Sequence, residues 1–265
     1  MPHADLHVHT DRSDGTLSLE AVPEAARRNG VAVVGVTDHD RLQPALDGPV
    51  VVRDGVTIVH GIELKVQTDD QRLDLLGYGV EPTPSLDAEI DRLQADRRER
   101  GAAIVERVED RLDIELDLEI HAGLGRPHIA RAIEAHPEAS YSYREAFDDL
   151  IGDGRPCFVE RSVTPYERGR ELLSEAAALV GLAHPLRYDD PGAAIDHAAE
   201  LDAIERWYPY ERAVDPATVE RAIQAHGLLP TGGSDAHDDQ LGRAGVSAAD
   251  YGAIAARLPS PTESS

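Results

Sequence analysis

The opening run Asp5-Leu6-His7-Val8-His9-Thr10 sets two histidines one residue apart, and Asp11-Arg12-Ser13-Asp14-Gly15 follows directly. Side chains of an extended strand alternate with period two, so His7 and His9 point to the same face. Two imidazoles on one face, at the end of a short apolar strand and beside a turn rich in Asp, Ser and Gly, can hold a divalent metal. Taken alone, His-x-His is more often the pattern of two surface imidazoles. Recurrence gives it weight: Thr37-Asp38-His39-Asp40, Gly61-Ile62-Glu63, Leu73-Asp74-Leu75, Ala183-His184-Pro185 and Ser234-Asp235-Ala236-His237 each set His, Asp or Glu against an apolar run.

The elements that must position these residues alternate between strand and helix. Val31–Val36, Val56–Ile62, Leu73–Tyr78, Leu179–Ala183, Ala203–Trp207 and Leu228–Gly233 read as strands after the opening one. Leu17–Asn29, Glu167–Ala178, Ile195–Glu200 and Pro216–His226 read as helices, with Gly30 and Gly227 as stops. Strand, helix, strand with right-handed crossovers gives a parallel sheet, and about seven strands close into a barrel. From 82 to 156 the rhythm breaks into charged helical segments, too long for one crossover, which predicts a helical insertion able to act as a lid. The predicted organisation is a barrel over 1–81 and 157–258, the insertion over 82–156, and a frayed tail over 259–265.

In α/β barrels the site is built at the C-terminal ends of the strands. Placed there, His7, His9, Asp14, His39, Glu63, Asp74, His184, Asp235 and His237 exceed what one metal requires at about four to six ligands. They point to two or three ions. Imidazole and carboxylate without thiolate suit Zn, Mn or Fe. His121, His136, His197 and His226 sit at no predicted strand end and read as ordinary histidines.

The motifs Asp-Leu-His-x-His-Thr-x-x-Ser-Asp-Gly, Thr-Asp-His-Asp, Gly-Ile-Glu, Ala-His-Pro and Gly-Gly-Ser-Asp-Ala-His together resemble the signature of the PHP family, named after polymerase and histidinol phosphatase. Gly-Arg-Pro-His-Ile-Ala at 125–130 and Gly-Arg-Pro at 154–156 are similar to the TrpH or YciV branch, which includes small nucleotide phosphoesterases and a 5′-to-3′ exoribonuclease. The resemblance runs from Met1 to about Val246. It implies a distorted seven-stranded α/β barrel and a trinuclear metal centre, with His7, His9, Asp14, His39, Glu63, His184, Asp235 and His237 as ligands. One position departs: where many members carry histidine near the fourth strand's glycine, this chain has Asp74. Because a phosphate ester is anionic and metals must neutralise its oxygens, the expected mechanism is hydrolysis by a metal-bridged hydroxide, with His39 essential and Asp235 or His237 assisting the leaving group. Arg126 and His128, at a helix start, and Arg155 are candidates to bind substrate phosphate.

With 50 acidic against 26 basic residues the formal charge is -24, and Lys65 is the only lysine. Such an excess of carboxylate is tolerated where salt screens it, a halophilic composition. It argues against stable binding of duplex nucleic acid, which needs basic patches, but not against a nucleotide, a short RNA or another phosphorylated small molecule. A single cysteine, Cys157, fits a cytoplasmic protein. No run approaches the ~18 apolar residues of a membrane span, and the first residues do not read as a signal peptide. The expectation is a metal-dependent phosphoesterase of nucleotides or short oligonucleotides. The alternatives are a small-metabolite phosphatase of histidinol-phosphate type and a non-catalytic metal-binding module. An amidohydrolase also opens with His-x-His, but commonly has a bridging lysine after the fourth strand, whereas Lys65 follows the third.

Overall fold

The structure, a computed structural model, describes residues 1–121 and 123–263. The chain forms two compact units, Met1–Asp87 with Thr164–Ser265, and Ala88–Val163.

In the first unit seven strands lie side by side in chain order: β1 Ala4–Val8, β2 Val33–Val36, β3 Val56–Gln67, β4 Arg72–Val80, β5 Ala177–Leu182, β6 Ala203–Trp207 and β7 Leu229–Gly232. A parallel bridge from Val8 to Ala236, with the His9 N–H donating to the Ala236 carbonyl at 2.9 Å, brings the last segment against the first. The sheet is therefore a nearly closed barrel. Helices Val22–Arg28, Tyr166–Ala176, Pro191–His197, Ala217–His226 and Ala248–Ala255 accompany it. Gly227 ends the fourth of these with a φ of 67°, which glycine adopts without a steric penalty.

The barrel departs from an all-parallel sheet at its centre. Residues 57–60 of β3 pair in parallel with β2, whereas residues 61–67 pair antiparallel with β4, and β4 is also antiparallel to β5. The switch falls at Gly61, where a Cβ would lie 2.7 Å from the Gly77 carbonyl oxygen. Two expectations are corrected as a result. Glu63 lies within a strand that continues to Gln67, and Asp74 lies near the beginning of β4 rather than at a C-terminal end. An antiparallel strand brings its N-terminal end to the rim where its parallel neighbours bring their C-terminal ends, so Asp74 reaches the same rim by the opposite route.

Val50–Arg53 adds an antiparallel strand to β3 that the sequence pattern did not mark. Thr262–Glu263 pairs in parallel with Val51–Val52. The expected frayed tail thus contributes two residues to an edge whose backbone groups offer a ladder; residues 264–265 lie outside the described residues. The core is aliphatic on both faces of the strands. Val8, Val34, Val36 and Ile58 pack with Val22, Ala25 and Ala26, while Leu6, Leu76, Tyr78 and Leu179 form a neighbouring cluster. Each large side chain so buried contributes about 1.5–3 kcal/mol.

The second unit contains most of helix Pro84–Leu112, helix Arg126–Ala135, and a helical turn Tyr143–Glu145 that continues into a π-helical segment Ala146–Ile151. Its own core is built from Ile104, Val108, Ile129, Ile133, Leu150 and Cys157. Cys157 and Val159 pack into that core, which carries the unit past residue 156 to Val163.

Candidate metal centre

Seven of the nine expected ligands converge through two interlocking groups at the barrel rim, and the other two, Asp74 and His184, join a third. His9, Asp14, His39 and His237 form one group; His7, His9, Glu63 and Asp235 a second; Glu63, Asp74 and His184 a third, with candidate ligand atoms in each within 4.8 Å of one another. In the first, Asp14 lies 3.3 Å from His237 Nε2 and 3.7 Å from His39 Nε2, and the His9 ring lies 4.3 Å from both the His39 and His237 rings. In the second, Glu63 Oε2 is 3.3 Å from the Nε2 atoms of both His7 and His9, while Asp235 Oδ1 is 3.1 Å from His9 Nε2. In the third, His184 Nε2 lies 3.2 Å from Glu63 Oε1 and 3.6 Å from Asp74 Oδ2.

Local backbone explains how each arrives. His39 pairs beside Glu63 in a parallel bridge, and its Nδ1 comes within 2.8 Å of Glu63 Oε2. Asp38, buried at the end of β2, accepts from the Thr10 N–H and hydroxyl and the Ser13 hydroxyl at 2.7–2.8 Å, which anchors the turn carrying Asp14. Gly233 passes so close to His7 that a Cβ would lie 2.3 Å from that of His7. Asp40, His184 and Asp235 hold φ values of 48°, 28° and 50°. Left-handed backbone at non-glycine residues costs about 1–3 kcal/mol and persists where surrounding structure imposes it.

Behind the ligands sits a layer that the sequence reading missed. Glu205, on β6, has Oε1 3.2 Å from His7 Nδ1 and accepts from the His184 N–H through Oε2 at 2.7 Å. Asp5 accepts from the Ser234 N–H and hydroxyl and the Gly242 N–H at 2.5–2.8 Å, joining the first strand to the segment that carries Asp235. The Tyr208 hydroxyl donates to Asp235 Oδ2 at 2.9 Å and Arg187 donates to the same oxygen at 3.2 Å. The signal for Glu205 was a carboxylate alternating with apolar residues in Ala203–Trp207; the partners of Asp5, Tyr208 and Arg187 come from distant segments.

The electrostatics are those of a carboxylate cluster balanced by imidazoles. Burial alone would depress His7 and His39, but Glu63, with Glu205 for His7 and Asp14 for His39, outweighs it. His7 rises well above its ordinary value and His39 to about 9. Burial wins at His9, which is lowered. Burial would raise Glu63, Asp14 and Asp235, yet the neighbouring imidazoles hold all three below the usual carboxylate range.

Whether this donor set suits a metal can be judged from its satisfaction. His7 Nε2, both ring nitrogens of His9 and Glu63 Oε2 are buried and, although imidazole and carboxylate atoms approach to 2.8–3.3 Å, none has a partner aligned for a hydrogen bond, a state that costs about 1–3 kcal/mol per group. Buried donor atoms that converge without bonding one another suit a shared divalent cation, and the first two groups fit one. The third differs, because the Lys65 ammonium is bonded to Asp74 Oδ1.

The expected phosphate-binding residues lie in the second unit. The Arg126 guanidinium donates to Asp153 at 2.6 Å and to the Ile151 carbonyl at 3.4 Å, and lies near the rings of Phe147 and Phe158. His128 Nδ1 accepts from the Gly125 N–H at 3.1 Å and so closes the helix start; Arg155 is exposed. In the first unit a cavity of about 650 Å³, within the ~300–1,000 Å³ of small-molecule sites, is lined by Arg187, Tyr208, Tyr210, Arg212, Asp235 and Arg243 among others. It sets three guanidinium groups beside a candidate ligand in a strongly acidic chain.

A family model described as the PHP domain matches residues 5–184. A phosphoribosyl 1,2-cyclic phosphate 1,2-diphosphodiesterase of Eggerthella lenta is 29% identical over 249 residues, covering 88% of this chain and 93% of the relative. The 5′-3′ exoribonuclease Rnm of Escherichia coli is 26% identical over 260 residues, covering 90% and 88%. A 3′,5′-nucleoside bisphosphate phosphatase of Chromobacterium violaceum is 25% identical over 259 residues, covering 89% and 88%. A crystal structure from Bifidobacterium adolescentis, assigned as a metal-dependent phosphoesterase, matches with a TM-score of 0.75 and 23% identity over 98% of this chain and 97% of that one; at that identity it shows the fold.

Proposed function

The chain belongs to the PHP domain family, and from that premise we propose that it is a metal-dependent phosphoesterase acting on phosphate esters of nucleotides or short oligonucleotides. The observation that carries the reading is the pair of interlocking His and carboxylate groups sharing His9, with Asp235 also lining an arginine-bearing cavity.

A phosphate ester is anionic and repels nucleophiles, so its charge must be neutralised where the reaction occurs. Divalent ions, held by His7, His9, Asp14, His39, Glu63, Asp235 and His237, would supply Lewis acidity toward the phosphate oxygens and a more acidic water. The protein's own part is positioning and proton handling. Arg187, with a side chain 59% exposed and one N–H on Asp235, has donors left to engage a phosphate oxygen. Tyr208 and Arg187 hold Asp235 Oδ2, which orients Oδ1 toward His7 and His9. His237 is raised from its ordinary value by its hydrogen bond with Asp14 and is the more exposed of the two candidates for assisting the leaving oxygen, at 39% against 11% for Asp235.

The test is turnover of a nucleoside monophosphate, a 3′,5′-bisphosphate and a short RNA by protein purified in high salt and supplied with Mn, Zn or Fe. Release of phosphate or mononucleotides, cut at least a hundredfold by His39→Ala in folded protein, is the expected result. Absence of turnover on all three, or near-normal turnover by His39→Ala, rejects it.

A further inference from the structure

The third ligand group contains a cation of the protein's own. Lys65 is the only lysine among 26 basic residues. It stands two positions from Glu63 on β3 and therefore on the same face, and directly opposite Asp74 in the β3–β4 ladder. Its ammonium is bonded to Asp74 Oδ1, in a pair that is mostly buried, with side chains 27% and 9% exposed. A cross-strand pair of opposite charge is favourable by itself, and here the acid is also the one carboxylate that the third group does not share. Glu63 is common to the second group, and His184 Nε2 already lies 3.2 Å from Glu63 Oε1.

From this geometry we infer that the centre takes two divalent ions and not three, and that Lys65 is what excludes the third by occupying Asp74. An ammonium on Asp74 Oδ1 repels a divalent ion approaching His184 and already neutralises the carboxylate whose other oxygen, Oδ2, lies 3.6 Å from His184 Nε2. It also restores a single positive charge where a Glu63–Asp74 pair would otherwise face each other close to His184. A binuclear site with a fixed ammonium retains positive charge at the rim without a third metal. The inference rests on the metal-dependent reading of the same site, but concerns stoichiometry and not turnover.

The experiment counts ions. Full-length protein is stripped with chelator, reloaded with excess Mn2+, freed of unbound ion by gel filtration and measured by elemental analysis, with titration calorimetry for the number of sites. Wild type is expected to hold two ions per chain, Lys65→Arg two, and Lys65→Met three; Lys65→Met combined with Asp74→Asn should return to two. A wild-type count other than two overturns the proposal, whatever the variants do. A count of two in folded Lys65→Met overturns the assignment to Lys65; if circular dichroism shows that variant unfolded, Lys65→Gln replaces it. No substrate is present, so two ions with no phosphoester turnover would sink the activity and leave this inference standing, and three ions with turnover would do the reverse.

Discussion

His60, the last residue of β3 paired with β2, gives a prediction whose size follows from the structure. Its ring is buried, Nε2 accepts from the Gln43 N–H at 3.2 Å, and burial pushes its pKa from 6.5 down to about 4, with Asp38 opposing too weakly to matter. Because the folded pKa lies below the unfolded one, the unfolded chain binds the additional proton between those values. Stability from this group is complete above the unfolded value and is lost as pH falls toward the folded one. A gap of about 2.5 units at about 1.4 kcal/mol each amounts to about 3.5 kcal/mol, of which about 3 is lost by pH 4, where the folded imidazole is half protonated. His60→Gln retains an acceptor for Gln43 but does not titrate. Urea unfolding of chelator-treated wild type and His60→Gln, at constant high salt, should show the wild type losing about 3 kcal/mol more than the variant between about pH 7 and pH 4. The carboxylates and other histidines titrate in both proteins, so the difference isolates His60. Curves that stay parallel within about 0.5 kcal/mol would refute a buried neutral imidazole and the burial argument behind it.

Two further outcomes concern the centre itself. Glu205→Gln leaves the ligands in place but removes the carboxylate behind His7, and should weaken metal binding about 10–100-fold in chelator competition while the fold persists; unchanged affinity would show that Glu205 does not tune the ligand. In metal-free protein His39 is protonated below about 9, and a metal must displace that proton. Affinity should therefore rise with pH between about 7 and 9, with proton release visible as a buffer-dependent heat in calorimetry; a flat profile over that range would contradict the shift.

The chain's own pattern determined a good deal. The alternation of apolar runs with helical segments located the seven barrel strands, because buried strands need continuous Val, Ile and Leu. The spacing His7-x-His9 and the turn at Asp14 were legible because period-two geometry is local. The reversal of β4 was not legible, since hydrophobic runs carry no direction, and it placed Glu63 and Asp74 by a different route from the one expected. Val50–Arg53 and Thr262–Glu263 escaped notice because strands of four and two residues take their stability from the ladder they join. Arg126 read as a phosphate ligand from its position at a helix start, whereas its ion pair with Asp153 depends on a loop 27 residues away. The sequence by itself settled which residue types could bind metal and that they recur beside apolar runs. Only the tertiary structure decided which of them share a point in space, that Glu205 and Asp38 stand behind them, and that Lys65 lies on Asp74, because those contacts join segments whose distance along the chain carries no information about their separation in the fold.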